Sequence, residues 1–158
     1  CPDPDLLFCA INKKILHSTY HDQFVSAFFA VLDTQNGRML YSNAGHPPPL
    51  KVDGNHWKES RWLGPTGVPL GIMEECQWQV GQVTMSPQEV LVLYTDGVIE
   101  AENETGEQYG RKRLLDKVRA LVKRTAGELQ GEIIGEVGGF IGAKPLADDV
   151  LLSVVKRV

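Results

Sequence analysis

Three carboxylates stand where this chain is equipped for chemistry. Asp96 follows Val90-Leu91-Val92-Leu93-Tyr94 within "LVLYTDGVIEAEN" (91–103), and Asp148-Asp149 precede a second apolar run that ends at Val155. The 90–94 run lacks polar alternation, which fits a strand covered on both faces. A carboxylate at such a strand tip has a rigid support, and two tips far apart in sequence can share a metal. Carboxylates so placed suit Mg²⁺ or Mn²⁺, hard cations that take oxygen ligands and keep waters available for reaction. The ordinary alternative is turn chemistry. Asp-Gly after a strand turns the chain, with Gly97 taking a backbone conformation that most residues avoid, and Asp-Asp alone is a solvated turn. No Cys-x₅-Arg loop, Gly-x-Ser-x-Gly elbow, His-Glu-x-x-His pair or P-loop offers a rival chemistry.

The elements that must hold these tips follow from periodicity. Leu6, Leu7, Ala10, Ile11 and Ile15 have helical spacing over residues 5–18, with Asp3 suited to the cap and Pro4 to the first turn. Phe24–Leu32 and Arg38–Ser42 flank Asn36-Gly37, the preferred two-residue hairpin turn. Leu50–Val52, a turn at Asp53-Gly54 and a return strand from His56 to Leu63 follow. An alternating stretch then carries Cys76, Trp78, Val80 and Val83. Leu114, Leu115, Val118, Leu121 and Val122 form the apolar stripe of a helix whose other face is basic (Arg111, Lys112, Arg113, Lys117, Arg119, Lys123, Arg124). That face is either solvated or a dock for an acidic partner. Thr125 and Glu128 have capping-box spacing ahead of a second helix through Leu129, Ile133, Ile134 and Val137, and Gly138-Gly139 weakens its end. Residues 149–155 read as a closing strand. The stretch 24–95 has no room for crossover helices, so the sheets are expected to be antiparallel.

Composition sets the outer bounds. With 158 residues, 42% hydrophobic and 23% charged, the chain suits one globular domain over 1–158 with a real core. A net charge of −4 argues against a general nucleic-acid partner and suits cation binding. Cys1, Cys9 and Cys76 show neither disulfide-framework nor zinc spacing, so a reducing cytoplasm is the simplest expected location. No signal peptide and no membrane-spanning apolar segment is visible.

Joint pattern narrows the reading. "FFAVLDTQNGRMLYSNAGHPPPL" (28–50), "GVPLGI" (67–72), "VLYTDGVIEAEN" (92–103), "YGRKRLL" (109–115) and "ADDVLLSVV" (147–155) occur together in order. This set resembles the metal-dependent protein phosphatase (PPM, protein phosphatase 2C) superfamily in its bacterial SpoIIE-like or RsbU-like branch. The resemblance implies an α+β fold, a two-layer antiparallel β-sandwich flanked by helices, with a binuclear Mg²⁺ or Mn²⁺ centre. It implies metal ligation by Asp96 and Asp148, a supporting role for Gly97, and an orienting role for Asp149. The implied reaction is attack on a phosphoserine or phosphothreonine phosphorus by water held between two metals roughly 3.5 to 4 Å apart. The implied partner is a phosphorylated regulator of the anti-sigma-factor-antagonist type in partner switching. The alternative is a non-catalytic module that keeps the fold and binds a partner.

His46 in "NAGHPPP" matches a position where the wider superfamily has an aspartate near the metals. It is therefore either a site-lining residue or a histidine that bonds a corner. The glycine and proline run Gly64–Gly71 is either a flap or a plain hairpin loop. The family's upstream Gly-Asp-(aromatic)-(aromatic)-Asp motif, source of the metal-bridging aspartate, does not occur in these residues. The chain accordingly reads as the C-terminal part of a phosphatase domain, poorly active by itself. Strand edges left open in such a part invite homodimerisation or strand exchange.

Overall fold

A computed structural model of the chain describes residues 3–18, 23–54 and 60–158. They form two compact units, residues 1–48 with 63–85 and residues 49–62 with 86–158. Every strand ladder in both is antiparallel.

The first unit holds α1 (Pro4–Ser18), β1 (Ala27–Leu32), β2 (Arg38–Ala44) and a later strand, Gly81–Thr84, that pairs on the far side of β2. The 33–37 connection differs from the expected two-residue turn. Leu32 pairs with Met39, Asp33 Oδ1 accepts the Gln35 and Asn36 N–H groups, and Gly37 alone takes a positive φ of 76°. A type I′ turn needs positive φ at both central residues, so the aspartate converts the Asn-Gly signal into a longer loop.

Helix α1 corrects a second expectation. Leu6 is 66% exposed and Ala10 is also exposed, while Ile11 and Ile15 of the expected stripe pack inward beside the buried Phe8 and Asn12. The face is set by a buried polar residue. Asn12 Nδ2 donates to the Met73 carbonyl (3.0 Å) and its Oδ1 accepts the Gly71 N–H (2.7 Å), so two backbone groups find partners there.

The second unit holds β3 (Leu50–Val52), β4 (Ser60–Trp62), β6 (Val90–Tyr94) and β7 (Leu152–Lys156) in the order β4-β3-β6-β7, counting Gly81–Thr84 as β5. Of the return strand expected over 56–63, residues 56–59 lie outside the described residues. β6 is almost wholly buried between two neighbours, as its unbroken apolar run implies. Helices α3 (Gly110–Leu121) and α4 (Ala126–Ile141) supply Leu114, Val118, Leu129, Ile133, Val137 and Ile141 to the same core. Both capping-box bonds form at α4: Thr125 Oγ1 accepts the Glu128 N–H, and Glu128 Oε2 accepts the Thr125 N–H (2.9 Å). The helix runs through Gly138-Gly139 and ends at Gly142, whose φ is 68°. A buried ion pair, Lys51 with Glu89, ties β3 to the approach of β6, and Glu89 Oε2 also accepts the Ser86 N–H (2.6 Å).

Candidate metal centre

Antiparallel pairing of β6 with β7 sets Tyr94 opposite Leu152, so the exit of β6 lies beside the entry to β7. Asp96 begins a four-residue helix, α2 (Asp96–Ile99), immediately past that exit, and Asp148 lies four residues before β7. Thr95 clamps the two segments. Its N–H donates to the Leu151 carbonyl (3.0 Å), its hydroxyl donates to the Asp149 carbonyl (2.7 Å), and the Thr95 hydroxyl oxygen accepts the Leu151 N–H (3.0 Å). A threonine at a helix N-cap ordinarily caps its own helix. This one makes no cap bond because its hydroxyl is committed across the strand ends.

Gly97 is needed for a reason other than the expected one. It is helical rather than at positive φ, and a Cβ there would lie 2.5 Å from the Asp149 carbonyl oxygen and 3.4 Å from the Asp148 carbonyl carbon. Close backbone approach requires the glycine. The side chains of Asp96, Asp148 and Asp149 are exposed. Asp96 Oδ1 accepts the Gly97 N–H (3.1 Å) and Asp148 Oδ1 accepts the Asp149 N–H (2.7 Å). Each carboxylate thus anchors through one oxygen. Beside them a cleft of about 70 Å³ is lined by Gly97, Glu100, Ala101, Ile141, Lys144 and Asp148 among others, with Lys144 Nζ donating to Glu102 Oε2 (2.6 Å).

Asp96 and Asp148 are hard oxygen donors on a tethered backbone, the kind that Mg²⁺ or Mn²⁺ takes, and water would complete the shell. Among the described residues no three His, Cys, Asp or Glu side chains gather as a metal-binding group.

His46 belongs to the first unit, where it bonds a corner. Its N–H donates to Asn43 Oδ1 (2.9 Å), and its Nδ1 lies 2.8 Å from the Pro47 carbonyl. Sequence reasoning passed over Asn43, the buried hub of that corner, whose Nδ2 donates to both the His46 and Leu63 carbonyls at 3.1 Å. It passed over Thr95 as well. The signal for Thr95 was a small polar residue at the tip of an apolar strand, and for Asn43 a polar residue near the end of β2. The Gly64–Gly71 run is fastened rather than free of the sheet: Thr66 N–H donates to the Asn43 carbonyl (2.8 Å), and Val25 and Leu70 exchange both backbone bonds at 2.9 Å.

The basic helix face is largely engaged within the unit. Lys117 pairs with Glu132 and Glu136, Arg113 with Glu107, Arg119 with Ser60 Oγ, and Arg111 lies over the Trp62 ring. Burial pushes the Tyr94 hydroxyl up to about 12 against the opposing Arg111 charge. Burial raises Tyr109 as well, helped by its bond to Glu136.

Antiparallel sheets with flanking helices match the PP2C-type phosphatase fold. The chain belongs to the SpoIIE family: the family model "Stage II sporulation protein E (SpoIIE)" matches residues 1–158. Protein IcfG of Synechocystis is 33% identical over 137 residues, 85% of this chain and 21% of that protein. Phosphoserine phosphatase RsbP of Bacillus subtilis is 31% identical over 90 residues, 54% of this chain and 22% of that protein. The SiaA-PP2C domain of Pseudomonas aeruginosa superposes with a TM-score of 0.86 at 17% identity, over 99% of this chain and 61% of that one. The chain spans about a fifth of the length of the curated relatives. Among the described residues no helix is long and apolar enough to cross a membrane.

Proposed function

We propose that residues 1–158 are part of one metal-dependent phosphoserine/phosphothreonine phosphatase domain acting on a regulatory phosphoprotein in bacterial partner switching. The observation that carries the reading is the clamp of Thr95 and Gly97 on Asp149, which fastens two carboxylate-bearing segments at one end of one sheet. Membership of a phosphatase family and the kinship to a phosphoserine phosphatase support it. Asp96 and Asp148 would hold the cation, with Thr95, Gly97 and the Asp149 backbone keeping their separation. When bound, a divalent pair supplies charge for the phosphoryl oxygens and lowers the pKa of the attacking water. The protein's own part is positioning. Two carboxylates account for one shared cation, and a second needs a bridging carboxylate, for which no third acidic group gathers among the described residues.

The test is phosphate release from a phosphoserine protein, with Mg²⁺ or Mn²⁺ and with chelator, for residues 1–158 and for the chain extended upstream to a bridging aspartate. Weak turnover by the short form and chelator-sensitive turnover by the long one are expected. In the long form Asp96→Asn should remove most activity and Asp149→Asn much less. Chelator-resistant turnover, or full activity after Asp96→Asn, would refute the mechanism. Metal binding without turnover in the long form would favour the non-catalytic partner-binding module.

A further inference from the structure

Residues 71–78 run back along α1 in a regular antiparallel register. A Cβ on Gly71 would lie 2.7 Å from the Ile15 side chain, Met73 and Gly71 bond Asn12, Cys76 meets Cys9, and Trp78 packs edge-on against Phe8 with centroids 5.8 Å apart. Four contacts stepping from Ile15 to Phe8 fix where each residue of this strap sits. The Cys9 Sγ lies 3.9 Å from the Cys76 carbonyl oxygen. The Cys76 Sγ lies 3.1 Å from the Met73 carbonyl, the same oxygen that Asn12 Nδ2 bonds at 3.0 Å. Asn12 is three residues beyond Cys9 and so on the same helix face. Each sulfur is thus placed against the other's segment. Both thiols are half-exposed and free.

We infer that Cys9 and Cys76 are an oxidation site, closing to a disulfide that staples the 71–78 strap to α1. With hydrogen peroxide as oxidant, one thiolate attacks a peroxide oxygen; the S–O bond forms, the O–O bond breaks and one water leaves. The second thiol attacks the resulting sulfenic sulfur; the S–S bond forms, the S–O bond breaks and a second water leaves. Two thiols lose two electrons in total and one peroxide is reduced. A dithiol reductant reverses the closure by exchange. The inference is independent of the phosphatase reading.

The test uses the chain with Cys1→Ser, so that the tryptic peptide spanning residues 1–13 carries Cys9 as its single thiol. After mild peroxide treatment, non-reducing peptide mapping should show that peptide joined to residues 62–111, and dithiothreitol should separate them. The same oxidation should raise Tm by roughly 5 to 15 °C, because the bond closes a long loop. The rise should vanish in Cys9→Ser and in Cys76→Ser. Absence of the joined peptide, with both thiols carried on to sulfinic acid, would overturn the inference. So would a rise in Tm that survives Cys76→Ser.

Discussion

Replacing Gly97 with alanine isolates the contact that brings the two carboxylate segments together. At an unstrained helical position alanine is favoured over glycine by up to about 1 kcal/mol. At Gly97 the added methyl would sit 2.5 Å from the Asp149 carbonyl oxygen and 3.0 Å from its carbonyl carbon. Both are backbone atoms, and Thr95 already holds that oxygen at 2.7 Å, so relief requires the 148–149 backbone to move. Overpacking costs about 1 to 3 kcal/mol and loss of the threonine bond about 1 more. Set against the helix gain, the net expectation is destabilisation by about 1 to 3 kcal/mol, with weaker Mn²⁺ binding by calorimetry. Urea denaturation at constant m-value measures the first quantity. Gly131→Ala is the internal control, since it lies in α4 with nothing within 4 Å of the added carbon and should stabilise by about 0.5 to 1 kcal/mol. If Gly97→Ala is as stable as the parent while Gly131→Ala gains, close approach is not what Gly97 serves, and the positioning argument fails.

Asn12→Ala should lower stability by about 2 to 3 kcal/mol in urea, because Gly71 N–H and the Met73 carbonyl both lose a buried partner. Lys51→Met leaves the Glu89 carboxylate, 5% exposed, without its cation and should cost about 3 kcal/mol or more, again by denaturant titration. Thr125→Ala should cost about 1 kcal/mol at neutral pH. The Thr125 backbone N–H and hydroxyl hold the Glu128 carboxyl below its usual range, so this stabilisation is present above the unfolded pKa and is lost as pH falls through the folded one. The gap between parent and Thr125→Ala should therefore narrow between neutral pH and about pH 3. For Tyr94 the sign reverses. Burial favours the neutral phenol, so stability is intact below the ordinary tyrosine pKa and lost as pH rises toward about 12; Tyr94→Phe should flatten alkaline unfolding followed by circular dichroism.

Periodicity and punctuation carry far in this chain because they report local physics. The 90–94 run could be read as a doubly covered strand, Thr125 with Glu128 as a capping box, and 114–122 as a helix stripe, since each depends on residues within a turn or two of one another. The pairing of Asp96 with the Asp148 segment was expected from motif order, not from anything local. What brings them together is the 58-residue return of β7 onto β6, a non-local ladder that no short window contains. Asn36-Gly37 became part of a longer loop for a reason that is still local, Asp33 bonding the Gln35 and Asn36 N–H groups. Elsewhere a tertiary contact overrode the local rule. Gly97 lies in a helix start rather than a positive-φ turn, and the Asp149 backbone leaves no room there for a side chain. The buried face of α1 keeps Ile11 and Ile15 but turns from Leu6 and Ala10 toward Phe8 and Asn12, whose one amide both donates to the Met73 carbonyl and accepts the Gly71 N–H. A sequence states which residues would rather leave water. Which polar residue must join them is decided by the orphan hydrogen bonds of the segment that packs there, and that is known only once the chain has folded.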